Sequence, residues 1–198
     1  GMNQNVYNLG ENSILLNALK KSEESNYSNI DQIYLKYSKN FSPKKITTNK
    51  MLGNFMHVPH IVSKLEHSKV IYTFRNPLDN ILSMYRAKFT GGGNEYSSSL
   101  IDSASLYIHH YKIMSFYREK YKNHIYFLNY DQLVNNPEIK IKELINWLGI
   151  HWSDSYLNHH RSRQGFFTAS NVQVRSPINN KSVGGWQNYS KLMNEPLE

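Results

Sequence analysis

The stretch Lys69-Val-Ile-Tyr-Thr-Phe-Arg75 with the following Asn76-Pro77 decides the fold class, because it joins an extended run to a helix start. Its apolar and β-branched residues are continuous, which is typical of a buried parallel strand. Asn76-Pro77 suits a helix N-terminus, and the apolar residues between 81 and 85 continue a helix. We therefore predict a buried strand that ends at Arg75 and leads directly into a helix.

The same alternation of extended and helical patterns recurs along the chain. Ile125 to Tyr130 reads as a second buried strand, and residues 97–122 between the strands have the spacing of a long amphipathic helix. Pro137 opens a further helix that Gly149 ends. Strands that alternate with helices predict an α/β fold, in which a parallel sheet is flanked by helices.

Upstream, the patterns are weaker but predict further elements. Residues 14–19 and 55–65 have helical spacing, and a short extended piece is expected at 45–47 within a loop-like segment. Ligands in parallel α/β sheets bind beyond the carboxyl ends of the strands. Arg75 and Tyr130 each end a predicted strand and are therefore expected at one edge of the sheet.

Composition narrows the class of protein. The 198 residues predict a single domain over 1–198, and the absence of cysteine excludes disulfides and thiolate metal sites. No apolar run reaches the roughly 18 residues of a membrane helix, and no signal peptide is evident, so we expect no membrane association and a bacterial cytoplasmic location. The net charge of +8 attracts polyanions, but the basic residues are dispersed, so nucleic-acid binding is a minority hypothesis.

Two interpretations of Arg75 stay open from spacing alone. An arginine between a strand and a helix can hold an anion together with the free N–H groups of the helix, and Ser83 can share that anion. Alternatively, Arg75 pairs with Asp79, four residues on, and Ser83 faces solvent.

Several ordered motifs together resemble one family. The run from Lys69 to Phe89 resembles the 3′-phosphate-binding motif of sulfotransferases, which use 3′-phosphoadenosine 5′-phosphosulfate, PAPS. The run from Tyr126 to Leu157 is similar to the segment that follows in tyrosylprotein sulfotransferases and related bacterial enzymes. Segments 46–55, 168–178 and 182–189 resemble the family's lysine segment and its C-terminal loop over the nucleotide. The resemblance extends over roughly residues 8–192, and it implies a P-loop-type sheet.

The resemblance implies a role for individual residues. Arg75 and Ser83 match the residues that hold the 3′-phosphate, and Tyr130 and Ser170 match further nucleotide contacts. Lys50 matches the lysine that neutralises the departing phosphate. Glu11 matches the family's proposed general base, and Asn12 stands at the next position, where tyrosylprotein sulfotransferases have a second glutamate. Arg175, Lys181 or Lys191 can replace a basic residue that the family has and this sequence lacks.

The implied reaction transfers a sulfuryl group from PAPS to a hydroxyl acceptor and leaves adenosine 3′,5′-bisphosphate, PAP. Cations are needed where charge grows on the leaving phosphate, and a carboxylate can take the acceptor proton. No metal is required, and the adjacent histidines at 109–110 and 159–160 are assigned to packing or surface. The acceptor can be a peptide tyrosine, a glycan or a small molecule.

The sequence also departs from the family. The family's 5′-phosphosulfate loop lies about twenty residues before the position of Glu11, where this chain has only ten residues, so we expect an N-terminally incomplete domain that lacks the first strand of the sheet. Ala87 and Gly185 stand where the family has basic residues. An exposed sheet edge predicts self-association as a homodimer. A non-catalytic nucleotide- or polyanion-binding remnant of the fold is the alternative function.

Overall fold

The computed structural model allows most of the chain to be described. The residues it describes are 6–8, 13–23, 26–39, 46–87, 89, 93–161 and 175–193.

The described chain alternates short strands with helices. The strands are β1 (Val6–Asn8), β2 (Ile46–Thr48), β3 (Val70–Phe74) and β4 (Ile125–Asn129). The helices are α1 (Ile14–Ser22), α2 (Ile30–Lys39), α3 (Val58–Lys64), α4 (Pro77–Ala87), α5 (Leu100–Lys120), α6 (Tyr130–Asn135) and α7 (Pro137–Leu148). Short 3₁₀ segments span Leu52–His57, Glu95–Ser98, Asp154–Arg161 and Gly185–Leu192.

The chain forms two compact units, and the first is drawn from Gly1–Val70 and Ile141–Pro177. In it β1 pairs in parallel with β2, with Tyr7 opposite Thr47. Helices α1 and α2 pack against each other, because their apolar residues recur at helical spacing and close over a small core. That core consists of Leu15, Ala18, Leu19 and Ile30.

The second unit is drawn from Ile71–Lys140 and Ile178–Glu198. In it β3 pairs with β4, and the connection between them contains α4 and α5. Helix α4 packs against α5 through the side of α4 that carries Leu78, Ile81 and Leu82. The remaining members of this core are Ala104 and Met193.

Strand β3 is less buried than its apolar sequence predicts. Only Tyr72 is buried, whereas Ile71 is 41% exposed and Thr73 is exposed as well. One face of β3 and β4 carries an aromatic cluster in which Tyr72 meets Phe127 edge-on and Tyr111 of α5 meets Phe74. The prediction of a fully buried strand is therefore wrong, because α5 covers one face and burial alternates with the pleat.

Most predicted elements lie where the sequence patterns indicate. Helix α5 begins after Ser99, whose side chain accepts a hydrogen bond from the backbone N–H of Asp102, and α7 ends before Gly149, which has a φ of +73°. Helix α6 follows β4 directly and has six residues. In the described part of the chain, no helix is both long and apolar enough to cross a bilayer.

Candidate functional site

The residues that follow β3 and β4 meet each other, as the strand pattern predicts. Arg75 comes directly after β3, and Tyr130 comes directly after β4 as the first residue of α6. The guanidinium carbon of Arg75 lies 5.2 Å from the centre of the Tyr130 ring. The carboxyl ends of the two strands therefore lie at one edge of the sheet, where ligands of α/β proteins bind.

Arg75 is held by polar groups on several sides. Its Nη2 donates to the carbonyl oxygen of Ser182 at 2.7 Å and lies 3.5 Å from Oδ2 of Asp79. Its own carbonyl accepts a 2.9 Å hydrogen bond from the Tyr107 hydroxyl. Burial raises the pKa of the Tyr107 phenol, and the neighbouring Tyr111 and Asp131 raise it further, so this hydroxyl stays a donor.

One donor of Arg75 has no partner among the described residues. The Arg75 side chain is 16% exposed, and its Nε is buried without a hydrogen bond in the described part of the chain. A buried donor that makes no hydrogen bond is costly, and an anionic oxygen is a strong acceptor for a guanidinium. The unpartnered Nε is therefore a donor for which a phosphate oxygen is a chemically suitable acceptor.

Asp79 connects α4 to the start of the last 3₁₀ segment, Gly185–Leu192. The residue is 4% exposed, and its two carboxylate oxygens accept hydrogen bonds from the backbone N–H groups of Gly184 at 2.7 Å and of Trp186 at 2.9 Å. Gly184 has a φ of +73°, a conformation that favours glycine and turns the chain toward Asp79. The same carboxylate thereby positions both Arg75 and the segment that supplies the Ser182 carbonyl.

The N-terminus of α4 is capped within the chain. The side-chain oxygen of Asn76 accepts hydrogen bonds from the backbone N–H groups of Leu78 at 3.0 Å and Asp79 at 3.3 Å. The backbone N–H of Asn76 donates in turn to Oδ2 of Asp131 at 2.6 Å. Two of the N–H groups that commonly bind an anion at a helix N-terminus are therefore already satisfied.

Ser83 lies on α4 on the same side as Asp79, one turn further from Arg75. Residues four apart are neighbours on a helix surface, with Cβ atoms about 6 Å apart. Ser83 is exposed, and Arg75 pairs with Asp79. The structure thus contains the ion pair expected under the second interpretation of Arg75, while an exposed hydroxyl beside that pair stays accessible to a ligand.

The other predicted residues belong to the first unit or lie outside the described residues. Lys50 is exposed two residues after β2, and Arg175 is exposed, both in the first unit. Asn49, next to Lys50, accepts a hydrogen bond from Asn54 at 3.3 Å. Glu11 and Ser170 lie outside the described residues.

Sequence reasoning missed several residues that surround Arg75. Asp131 follows the predicted strand directly, so its position at the strand end was a usable signal. Ser182 contacts Arg75 across 107 positions, and no local pattern predicts such a contact. No group of three or more metal-ligating side chains occurs within the described ranges.

An arginine at the end of a strand, stacked on a tyrosine and with one unpartnered donor, has the chemistry of a group that pairs with an anion. The chain belongs to the sulfotransferase family, whose sequence model matches residues 8–154 and therefore well over half of the chain. This match confirms the family resemblance of the motifs.

Two relatives add to this assignment. The fold is similar to the sulfotransferase domain from the curacin biosynthetic pathway, with a TM-score of 0.55 and 16% identity over 88% of this chain and 69% of that one. The similarity confirms the predicted α/β fold. The sequence is also 30% identical over 152 residues to an uncharacterized protein of Aquifex aeolicus (strain VF5). The match covers 76% of this chain, but the chain spans only 20% of that relative's length.

Proposed function

We propose that this chain takes part in sulfuryl transfer from PAPS to a hydroxyl acceptor, and that Arg75 holds the 3′-phosphate of the nucleotide. The observation that carries the proposal is the buried, unpartnered Nε of Arg75 at the end of β3, with Tyr130 stacked on the guanidinium. A phosphate oxygen is the acceptor that this donor lacks. The exposed hydroxyl of Ser83 provides a second donor on the same side of α4.

The remaining roles follow from family membership and are part of the proposal. PAPS supplies the sulfuryl group, and its sulfur–oxygen bond to the phosphate breaks as a bond to the acceptor oxygen forms. Lys50 neutralises the charge that grows on the leaving phosphate. Glu11 accepts the proton of the acceptor hydroxyl. Ser170 and Arg175 contribute contacts to the nucleotide.

The direct test is calorimetric titration with adenosine 3′,5′-bisphosphate. We expect Arg75→Ala to weaken binding by at least about tenfold, because a charge-assisted contact contributes roughly 1.5–3 kcal/mol. Arg118→Ala is the matched control, since Arg118 also stacks on an aromatic ring, with 4.8 Å from its guanidinium carbon to the centre of Phe127. Circular dichroism confirms that each variant is folded.

A second ligand isolates the contribution of the 3′-phosphate. Adenosine 5′-phosphate lacks that group, so it should bind the parent chain and Arg75→Ala equally well. Arg75→Lys, which keeps the charge but loses the planar donor array, should retain intermediate affinity. Equal affinity of parent and Arg75→Ala for the bisphosphate, or no binding to the parent, contradicts the assignment of Arg75.

A non-catalytic nucleotide-binding protein is the second candidate. It is favoured by the Arg75–Asp79 pair and by Ala87 and Gly185, where the family has basic residues. Transfer of labelled sulfate from PAPS separates the two candidates. An enzyme transfers the label and loses this activity in Lys50→Ala, whereas the second candidate binds the bisphosphate without transfer.

Several features of the whole protein stay predictions. These are the single domain over 1–198 and the bacterial cytoplasmic location. The acceptor class is best found by screening peptide, glycan and small-molecule hydroxyls with labelled PAPS.

A further inference from the structure

A second candidate binding surface lies at the C-terminal end of α5, in the same unit as Arg75. An open groove of about 460 Å³ lies here between the last turn of α5, the turn that follows it and the beginning of β4. The groove is lined by Arg118, Glu119, Lys122, Ile125, Tyr126 and Phe127.

This groove is separate from the Arg75 site. Tyr107 contacts Arg75 near the start of α5, and Arg118 lies eleven residues further along the same helix. At 1.5 Å per residue, this separation is about 16 Å along the helix axis. The groove also borders the first residues of β4, whereas Tyr130 follows the last. A ligand in the groove therefore leaves the Arg75 site accessible.

The rim of the groove carries an excess of positive charge. Arg118 and Lys122 contribute two cations, against one carboxylate from Glu119. The Lys122–Glu119 pair is 3.7 Å long with both side chains more than 70% exposed, and such pairs contribute little to stability. A ligand carboxylate can therefore replace Glu119 at Lys122 at low cost.

The floor of the groove is apolar and aromatic. Ile125 is buried, and the ring of Phe127 is half-buried beneath the guanidinium of Arg118. A ligand that suits this surface combines negative groups with apolar side chains.

The shape of the groove favours an extended ligand. Successive strand residues project to opposite faces of a sheet, yet three consecutive residues of β4 line this groove. The groove therefore borders the start of β4. In the part of the chain that the structure describes, β4 is hydrogen-bonded to β3 alone. An extended peptide beside such an edge can add main-chain hydrogen bonds.

We propose that this groove binds an extended acidic peptide segment of a partner protein, with carboxylates at Arg118 and Lys122 and an apolar side chain against the floor of the groove. The carboxylate of Glu119 in the lining repels the closely spaced phosphates of a nucleic acid. A peptide can instead place single carboxylates at Arg118 and Lys122 and none beside Glu119. The partner docks through this groove, away from Arg75.

Fluorescence anisotropy with a labelled peptide tests this inference. The probe is a peptide of about eight residues in which glutamate and valine alternate, to match the pleat of a strand. We expect Arg118→Gln and Lys122→Gln each to weaken binding about tenfold, because each loses a charge-assisted contact. Lys112→Gln is the matched control, since Lys112 is exposed on the same helix and does not line the groove.

Further measurements distinguish this groove from the nucleotide site and an acidic peptide from other ligands. Arg75→Ala should bind the peptide as the parent does, so failure of the proposed nucleotide site leaves this result intact. A peptide of alternating lysine and valine should not bind. Equal binding of that peptide, or no loss in Arg118→Gln and Lys122→Gln, overturns the proposal.

Two other outcomes also overturn it. Tighter binding of a single-stranded oligonucleotide, lost in the same two variants, assigns the groove to nucleic acid. A peptide-free dimer that Arg118→Gln and Lys122→Gln convert to monomer assigns it to a second copy of this chain. An acidic peptide with N-methylated backbone tests the main-chain contribution and should bind more weakly than its unmodified form.

Discussion

The Asp79 carboxylate shows how one buried charge organises the Arg75 site. Its oxygens accept hydrogen bonds from N–H groups that lie 105 and 107 positions later in the chain, and one of them also faces Arg75. The negative charge of Asp79 is therefore balanced by a cation and by two backbone dipoles. This balance explains why a carboxylate is tolerated in a buried position of α4.

We predict that Asp79→Ala lowers the free energy of unfolding by about 3 kcal/mol or more, since it leaves two backbone N–H groups without acceptors and Arg75 without its counter-charge. Asp79→Asn keeps one acceptor oxygen and should cost less. Urea denaturation measures both, with Asp102→Ala as the control because Asp102 is exposed on α5. Equal stabilities of Asp79→Ala and Asp102→Ala would contradict the role of Asp79.

His110 gives the second unit a pH-dependent stability. Burial lowers the pKa of its imidazole below the ordinary 6.5, and its Nδ1 lies 3.1 Å from the Tyr72 hydroxyl. The unfolded chain therefore binds this proton more readily than the folded chain. The stability that His110 contributes is present above pH 6.5 and is lost as the pH falls through the lower folded pKa.

We accordingly expect His110→Gln to reduce the loss of stability between pH about 7.5 and about 5. Urea unfolding at both pH values measures the change, and His109→Gln, at an exposed neighbouring position, serves as the control. An unchanged pH dependence in His110→Gln would show that other groups are responsible. Glutamine retains hydrogen-bonding capacity toward Tyr72, so the comparison isolates the titration.

At the scale of secondary-structure elements, capping residues at the helix ends account for where the helices begin and end. Asn76 caps α4, Ser99 caps α5 and Asn129 caps α6 through side-chain oxygens that accept backbone N–H groups. Gly149 follows α7 with a φ of +73°, which an L side chain rarely adopts. These caps stabilise helices whose apolar surfaces are only partly covered.

Gly149→Ala tests the C-terminal boundary of α7. An added Cβ at this position has no neighbour within 4 Å, so any loss of stability comes from the backbone conformation. We expect a cost of about 1 kcal/mol, with a smaller cost for Gly149→Asn. Gly53→Ala is the control, because Gly53 does not have a positive φ. Thermal unfolding measures both, and equal effects of the two alanines would contradict this explanation.

At the scale of the whole molecule, the described chain contains two separate two-stranded sheets. Each of their four strands has one partner within the described ranges. Strands with an open edge and exposed apolar residues can pair with another chain. Ile71 in β3 is such a residue.

We therefore predict self-association that Ile71→Lys weakens, because a lysine on an exposed strand opposes pairing between chains. Light scattering at several concentrations up to about 50 µM, chosen to detect a weak dimer, measures the mass. Leu52→Lys is the control, since Leu52 is also exposed but lies outside the strands. A monomeric mass of the parent chain at every concentration would contradict the prediction.

The sequence predicted a strand within Lys69–Arg75, which the structure places at Val70–Phe74, together with the helix after Pro77 and the meeting of Arg75 with Tyr130. The strand and the helix depend on the local secondary-structure propensity of their residues. The meeting of Arg75 with Tyr130 follows because the carboxyl ends of neighbouring parallel strands lie at one edge of a sheet. Burial of β3 was overestimated, because continuous apolar residues do not reveal how many faces of a sheet are covered.

The amino-acid sequence by itself determined most of the strands and helices and the family, since turn residues, helix caps and periodic apolar residues act over a few positions. Only the tertiary structure decided that Asp79 holds Arg75 and the backbone of Gly184, and that α5 ends in a charged groove. The physical reason is that these contacts join groups that are far apart in the chain. Their free energy depends on the burial and on the arrangement of charges, and both are established only after folding.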